Sequence, residues 1–235
     1  MLKKIRKEIK KLADPEKAKI LQGFFKTGDG EYGEGDIFLG ISVPKQRELI
    51  KNFWEKLDSI SLQKLLNSKI HEERLISLLI LIEKYEKSDE KVRKKIFDFY
   101  LRNSKHVNNW DLVDLSAPKI VGDFLADKSR KILYKLAKSD NLWERRIAVV
   151  SCFSFIRKND FEDILKISKI LLRDSHDLIH KAVGWMLREV GKGDERVLKD
   201  FLNEHYKEMP RTMLRYAIER FGEGERRKYL LGDLA

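Results

Sequence analysis

The feature that most restricts this fold is a ladder of small, mostly apolar positions. Ser77, Val113, Ala148, Ala182 and Ala217 follow one another at intervals of 36, 35, 34 and 35 residues. Four of the five sit in segments of similar form: Arg74-Leu75-Ile76-Ser77, Arg145-Arg146-Ile147-Ala148, His180-Lys181-Ala182-Val183 and Arg215-Tyr216-Ala217-Ile218. A weak repeat of this length is the signature of stacked helix pairs, in which small residues mark where neighbouring helices approach closely. The ladder predicts an α-solenoid over one domain, residues 1–235.

Local signals agree with helices throughout. Leu2, Ile5, Ile9 and Leu12 carry helical spacing, with lysines on the remaining face. Asp14-Pro15 reads as an N-cap followed by a first-turn proline. From about residue 45 the pattern is helix after helix. The polar breaks between them include Lys87-Ser88-Asp89, Lys138-Ser139-Asp140, Lys158-Asn159-Asp160 and Gly191-Lys192-Gly193-Asp194. Four prolines and thirteen glycines in 235 residues are too few turn residues for an all-β chain.

Charge narrows the function classes. Lys and Arg exceed Asp and Glu by 11, a surplus expected of a chain that meets a polyanion or of a Lys-rich, solubilising surface. Basic residues recur just before the ladder positions, at Arg74, Arg146, Lys181 and Arg215. In a solenoid, equivalent positions line one face, so these four predict a positive stripe. No apolar run is long enough for a membrane span, and the N-terminus lacks a secretory h-region. The single cysteine, Cys152, lies in an apolar run and reads as core.

Several constellations bear on chemistry. Gly28, Gly30 and Gly33 match the dinucleotide G-x-G-x-x-G spacing, but no strand precedes them. Asp29, Glu31, Glu34 and Asp36 would also repel a pyrophosphate, so the segment reads as a connection. His176 and His180 stand four apart, yet no third metal ligand accompanies them in a motif, so no metal is expected. In Asn108–Pro118, Trp110 and Asp114 share a helix face. Asp114 lies near the end of that helix, where the backbone dipole disfavours a carboxylate; it requires either a basic partner or a catalytic use. Pro118 is expected to end or bend the helix. Trp143 and Trp185 stand on later ladder helices, where a tryptophan serves the core or, if exposed, stacks on sugar or base.

Four motifs, in order along nearly the whole chain, resemble those of the AlkD-type DNA alkylation-repair glycosylases. They are Phe38-Leu39-Gly40-Ile41-x-x-Pro44-x-x-Arg47, Trp110-Asp111-x-Val113-Asp114, Trp143-x-x-Arg146-x-Ala148 and Lys181-Ala182-x-Gly184-Trp185-x-Leu187-Arg188-Glu189. The glycine loop 27–36 and Ser42 depart from that pattern. The resemblance implies an all-α, right-handed, C-shaped solenoid of HEAT-like repeats with a basic concave face. It implies hydrolysis of the N-glycosidic bond of 3- or 7-alkylated purines in base excision repair. Asp114 would be the catalytic carboxylate, with Trp110 and Trp185 against the deoxyribose and Arg146 on a phosphate. Arg145, Lys181, Arg188 and Arg215 complete the expected DNA contacts. The expected partner is duplex DNA carrying alkylated bases, met by a cytoplasmic monomer without a cofactor. Against this stand a non-catalytic HEAT-repeat module holding DNA or RNA and a protein-interaction scaffold.

Overall fold

The computed structural model describes residues 1–233. Among these residues every extended element is helical. The one β feature is an isolated parallel bridge between Ile37 and Ile70. The all-α expectation therefore holds. The chain divides into two compact units, Met1–Leu112 and Val113 onward.

The first unit contains α1 (Leu2–Lys11), α2 (Pro15–Phe24), α3 (Val43–Ile50), α4 (Ser59–Leu66), α5 (His71–Glu86) and α6 (Glu90–Arg102), and ends within α7 (Trp110–Ala117). α5 is its axis. Thirteen of its sixteen residues are buried, and α3, α4 and α6 pack around it. An apolar sequence around the whole helix circumference makes α5 central, because no face can be left to water. Its first turn is an exception in composition: His71, Glu72, Glu73 and Arg74 are four consecutive buried polar residues. Each has partners. Glu73 takes the Arg6 guanidinium at 2.8 Å. Glu72 accepts the backbone N–H groups of Leu39, Gly40 and Ile41 at 2.8–3.2 Å. The Phe38–Ile41 motif thus supplies a nest of donors for one buried carboxylate. Gly40 has φ +81°, and a Cβ there would sit 2.2 Å from the Asp14 carbonyl oxygen, so only glycine fits.

Capping follows the sequence at several breaks but not all: the helix Glu162–Ile170 opens at Phe161 without a side-chain cap, Asp160 pairing with Arg130, and the helix Leu142–Ser151 is capped by Asn141. Asp14 accepts from the Lys17 N–H with Pro15 at the first helical position, and Asp58 and Asp89 cap α4 and α6 in the same way. The glycine loop closes on itself: the Glu31 carboxylate accepts from Gly28 N–H at 2.9 Å and Glu34 from Gly30 N–H at 3.0 Å. These acids occupy the backbone donors that a phosphate would need.

The second unit holds the rest of α7, a π-helical turn at Pro118–Gly122, α8 (Asp123–Leu125), α9 (Lys131–Leu136), α10 (Leu142–Ser151), α11 (Phe153–Ile156), α12 (Glu162–Ile170), α13 (Asp177–Gly193), α14 (Glu195–His205), α15 (Arg211–Ala217) and α16 (Glu223–Leu231). Pro118 widens the helix into a π turn and does not end it. Its ring removes an N–H donor, and its own carbonyl accepts from Ser154 Oγ at 2.7 Å. Gly191-Lys192-Gly193 does not interrupt α13 either. The helix runs through to Gly193, and Asp194 caps the next one. α10 packs on α13 and α13 on α15, the three helices that carry Ala148, Ala182 and Ala217. All five ladder residues are fully buried. Gly184 extends the same logic, since a Cβ there would lie 2.5 Å from the Met213 carbonyl oxygen and 2.5 Å from Tyr216 Cβ. Cys152 is buried, with its thiol on the Ala148 carbonyl; burial pushes the thiol's pKa far up and leaves no reactive thiolate.

Candidate active site

α7 carries the motif that drew attention in the sequence, and the boundary between the units falls inside it. Trp110 therefore belongs to the first unit, and Asp114 to the second. In the first unit the start of α7 is fixed by side chains. Asn109, fully buried, accepts the Trp110 N–H at 2.8 Å, and Asp111 accepts the Leu112 N–H at 2.8 Å. The half-buried Trp110 ring stacks on Phe25, with centroids 5.0 Å apart and planes 10° from parallel. Phe24 meets it edge-on at 6.0 Å. Phe25 stacks in turn on Phe38 at 4.8 Å, and Phe38 on the imidazole of His71 at 4.4 Å.

His71 closes this column on a polar cluster. Its Nε2 lies 2.8 Å from Asp111 Oδ2, and its Nδ1 lies 3.2 Å from Asp36 Oδ2. Arg74 and Asn109 also donate to that Asp36 oxygen. Burial pulls the His71 pKa down, but the bonds to Asp111 and Asp36 outweigh it, and the net shift is upward from 6.5. Burial raises the Asp36 pKa, yet His71 and Arg74 outweigh it and hold the carboxyl below its usual value. Arg74, expected on a positive surface stripe, is instead drawn into this core by Asp36 and the Ser68 carbonyl, which it meets at 2.9 Å.

In the second unit, Asp114 finds the basic partner its position calls for. Arg146 Nε and Nη2 donate to its two carboxylate oxygens at 2.9 and 2.8 Å, the bidentate fork that guanidinium and carboxylate favour. Arg146 Nη1 donates to the Leu178 carbonyl at 2.6 Å, so the clamp is anchored on α13. Arg146 is 5% exposed. Three of its five N–H groups are engaged, which leaves two for another acceptor. Asp114 itself is half-buried, so its carboxylate is held without being sealed off.

Trp185, also half-buried, donates its indole N–H to Glu189 at 3.2 Å and rests at 5.9 Å from the Phe153 ring. Trp143 is core. Arg145 is committed to Asp174 at 2.6 Å and to the Ser139 and Asp140 carbonyls. Lys181 pairs with Asp177 one turn earlier, at 2.7 Å. Arg188, paired with Glu219, and the exposed Arg215 line one recess of about 630 Å³ with Thr212, Tyr216 and Arg226. His176 caps α13 by accepting the Leu178 N–H, and His180 donates to the Asp174 carbonyl. Among the described residues no His, Cys, Asp and Glu side chains group to hold a metal, and no helix is long and apolar enough to cross a membrane.

Sequence reasoning missed His71, Asp36 and the Phe25–Phe38 column. The one available signal was a His-Glu-Glu-Arg run opening a helix that is otherwise apolar all round.

Residues 5–221 match the family model described as DNA alkylation repair enzyme. The fold is similar to that of a solved Enterococcus faecalis protein described as "Predicted DNA alkylation repair enzyme". The TM-score is 0.69 and the identity 17%, over 90% of this chain and 97% of that one. At that identity the likeness concerns the fold. No curated protein matches the chain in sequence.

Proposed function

Because the chain belongs to the DNA alkylation repair enzyme family, we propose that it is a monofunctional DNA glycosylase that hydrolyses the N-glycosidic bond of cationic alkylpurines such as 3-methyladenine and 7-methylguanine. The observation that carries this reading is the Asp114–Arg146 clamp. It gives a half-buried carboxylate one fixed orientation on the motif helix.

The chemistry requires little else. An alkylated purine is positively charged and leaves without protonation, so no general acid is needed. Bond cleavage puts oxocarbenium character on the deoxyribose. Asp114 stabilises that charge and aligns the attacking water, a contribution of about 2–4 kcal/mol for a preorganised group of this kind. Trp110 and Trp185 pack against the sugar and lower the local dielectric, which strengthens the interaction. Arg146 orients Asp114 and offers its two remaining N–H groups to a phosphate. Arg145, Lys181, Arg188 and Arg215 supply the surrounding positive field. A single right-handed solenoid of HEAT-like repeats, with a basic concave face for duplex DNA, goes with this proposal. So does a cytoplasmic monomer that uses no cofactor.

The test is base release from a duplex carrying 7-methylguanine, by the native chain and by Asp114→Asn. The expected result is release by the native chain and a loss of about 100- to 1,000-fold in the variant, with DNA affinity retained. Tight binding with no release of 7-methylguanine or 3-methyladenine would replace the enzyme with a non-catalytic DNA-holding module.

A further inference from the structure

The first unit spends an unusual amount of buried polarity near Trp110. Two carboxylates, Asp36 and Asp111, face the two nitrogens of one imidazole, and all three groups are withdrawn from water. Each contact is a good hydrogen bond only if the ring nitrogen donates, because a carboxylate has no proton to give. Both bonds exist together only in the imidazolium. With Arg74 on Asp36, the cluster then contains two cations and two anions and is balanced. A neutral ring would leave one carboxylate facing a nitrogen lone pair inside the fold, which is costly; at Nδ1 the long 3.5 Å approach of Arg74 Nη2, already engaged by Asp36, offsets that only in part. The groups facing His71 are Asp36 from the glycine loop, Asp111 from α7 and Arg74 from α5 itself. Glu72 and Glu73 are turned away onto the Leu39–Ile41 backbone and Arg6.

Two routes lead from this ring to Trp110. Asp111 is the next residue along the chain, so the His71 Nε2 bond holds the first turn of α7. The stack His71–Phe38–Phe25–Trp110 sets the indole plane, with centroid steps of 4.4, 4.8 and 5.0 Å. We propose that His71, clamped between Asp36 and Asp111, is a positioning residue that fixes the indole Trp110 presents to the damaged nucleotide. The glycine loop thereby gains a role. Its turns, closed by Glu31 and Glu34, deliver Asp36 to the clamp. Loss of the proton from His71 costs the clamp one of its two hydrogen bonds, which frees the ring between Asp36 and Asp111, so sugar packing weakens as pH rises.

Only the kinetic part of this inference rests on the glycosylase reading, and the experiment keeps the two apart. Nitrogen NMR of the histidine rings in the intact, DNA-free chain follows His71 through a pH titration. The His71 signals are assigned by their loss in His71→Gln or, should that variant not fold, by their shift in Asp111→Asn. The near-ultraviolet signal of Trp110, taken as the difference from Trp110→Phe, is followed over the same range. The expected result is an imidazolium at pH 7 and an indole signal that changes at the His71 midpoint. In Asp111→Asn that midpoint should fall. Single-turnover release of 7-methylguanine should drop roughly 10- to 100-fold above the same midpoint, with DNA affinity within about twofold, as for a misplaced contact group. A neutral His71 at pH 7, or an indole signal flat through its titration, overturns the proposal. If the native chain releases no base at any pH, the glycosylase reading fails while the ring and indole titrations still decide the positioning role.

Discussion

Arg146 shows how one side chain ties a charge to a packed helix. Its fork neutralises Asp114 while its third donor engages the α13 backbone. Arg146→Met removes the bidentate fork from a half-buried carboxylate and should lower stability by about 1–3 kcal/mol. Asp114→Asn combined with Arg146→Met should recover part of that loss, which urea midpoints of the two single variants and the double variant will measure. At His71 the sign of the pH effect follows from the direction of its shift. Its folded pKa is raised, so its contribution is full below about 6.5 and is lost as pH rises through the folded value. Asp36 is shifted the other way, so its contribution is present above 3.8 and lost as pH falls through its lower folded value. The difference in urea midpoint between the native chain and His71→Gln should therefore shrink towards alkaline pH. A constant difference from pH 6 upward would contradict the charged clamp.

The helices were legible because their apolar spacing and caps are local properties. Asp14, Asp58, Asp89 and Asp194 each accept a backbone N–H of the helix they open. Two expected punctuation points are resolved by tertiary contacts: the helix does not end at Pro118, and the break at Gly191–Asp194 falls at its last residue. Pro118 is accommodated because a π turn relieves the ring's clash and Ser154 takes its carbonyl. Gly191 stays helical because it lies against Leu198 on α14, where a Cβ would come within 2.5 Å. The ladder itself rests on such close approaches. Gly184→Val places atoms into the α15 backbone and should cost about 1–3 kcal/mol by overpacking. Thermal unfolding should show a lowered midpoint, whereas Gly224→Ala, on a helix with open space at that Cβ, should leave it nearly unchanged.

At the scale of the molecule, the surplus of 11 positive charges is the property most directly open to measurement. Most of the basic side chains singled out in the sequence are paired within the fold: Arg74 with Asp36, Arg145 with Asp174, Arg146 with Asp114 and Lys181 with Asp177. Arg215 is exposed beside Arg188. DNA affinity should fall linearly with log salt, by about 0.9 in slope per phosphate neutralised. Arg215→Ala should reduce that slope by roughly 1, whereas Arg145→Ala should act mainly through stability. Equal effects of the two substitutions on the slope would place the phosphate path elsewhere.

The amino-acid sequence by itself determined the all-helical class, several of the capping residues and the family. All of these are written in periodicity and in motifs a few residues long. It also marked Asp114 as needing either a basic partner or a catalytic use, because the helix dipole alone makes that carboxylate costly where it stands. Only the tertiary structure decided which basic residue answers that requirement, and that Arg74 turns inward to Asp36. It also decided that Asp36 and Asp111, 75 residues apart in the chain, close on one histidine. The physical reason is the same in each case. Local pattern fixes which face of a helix is buried, while the pairing of buried charges depends on distant segments that meet only when the core has formed.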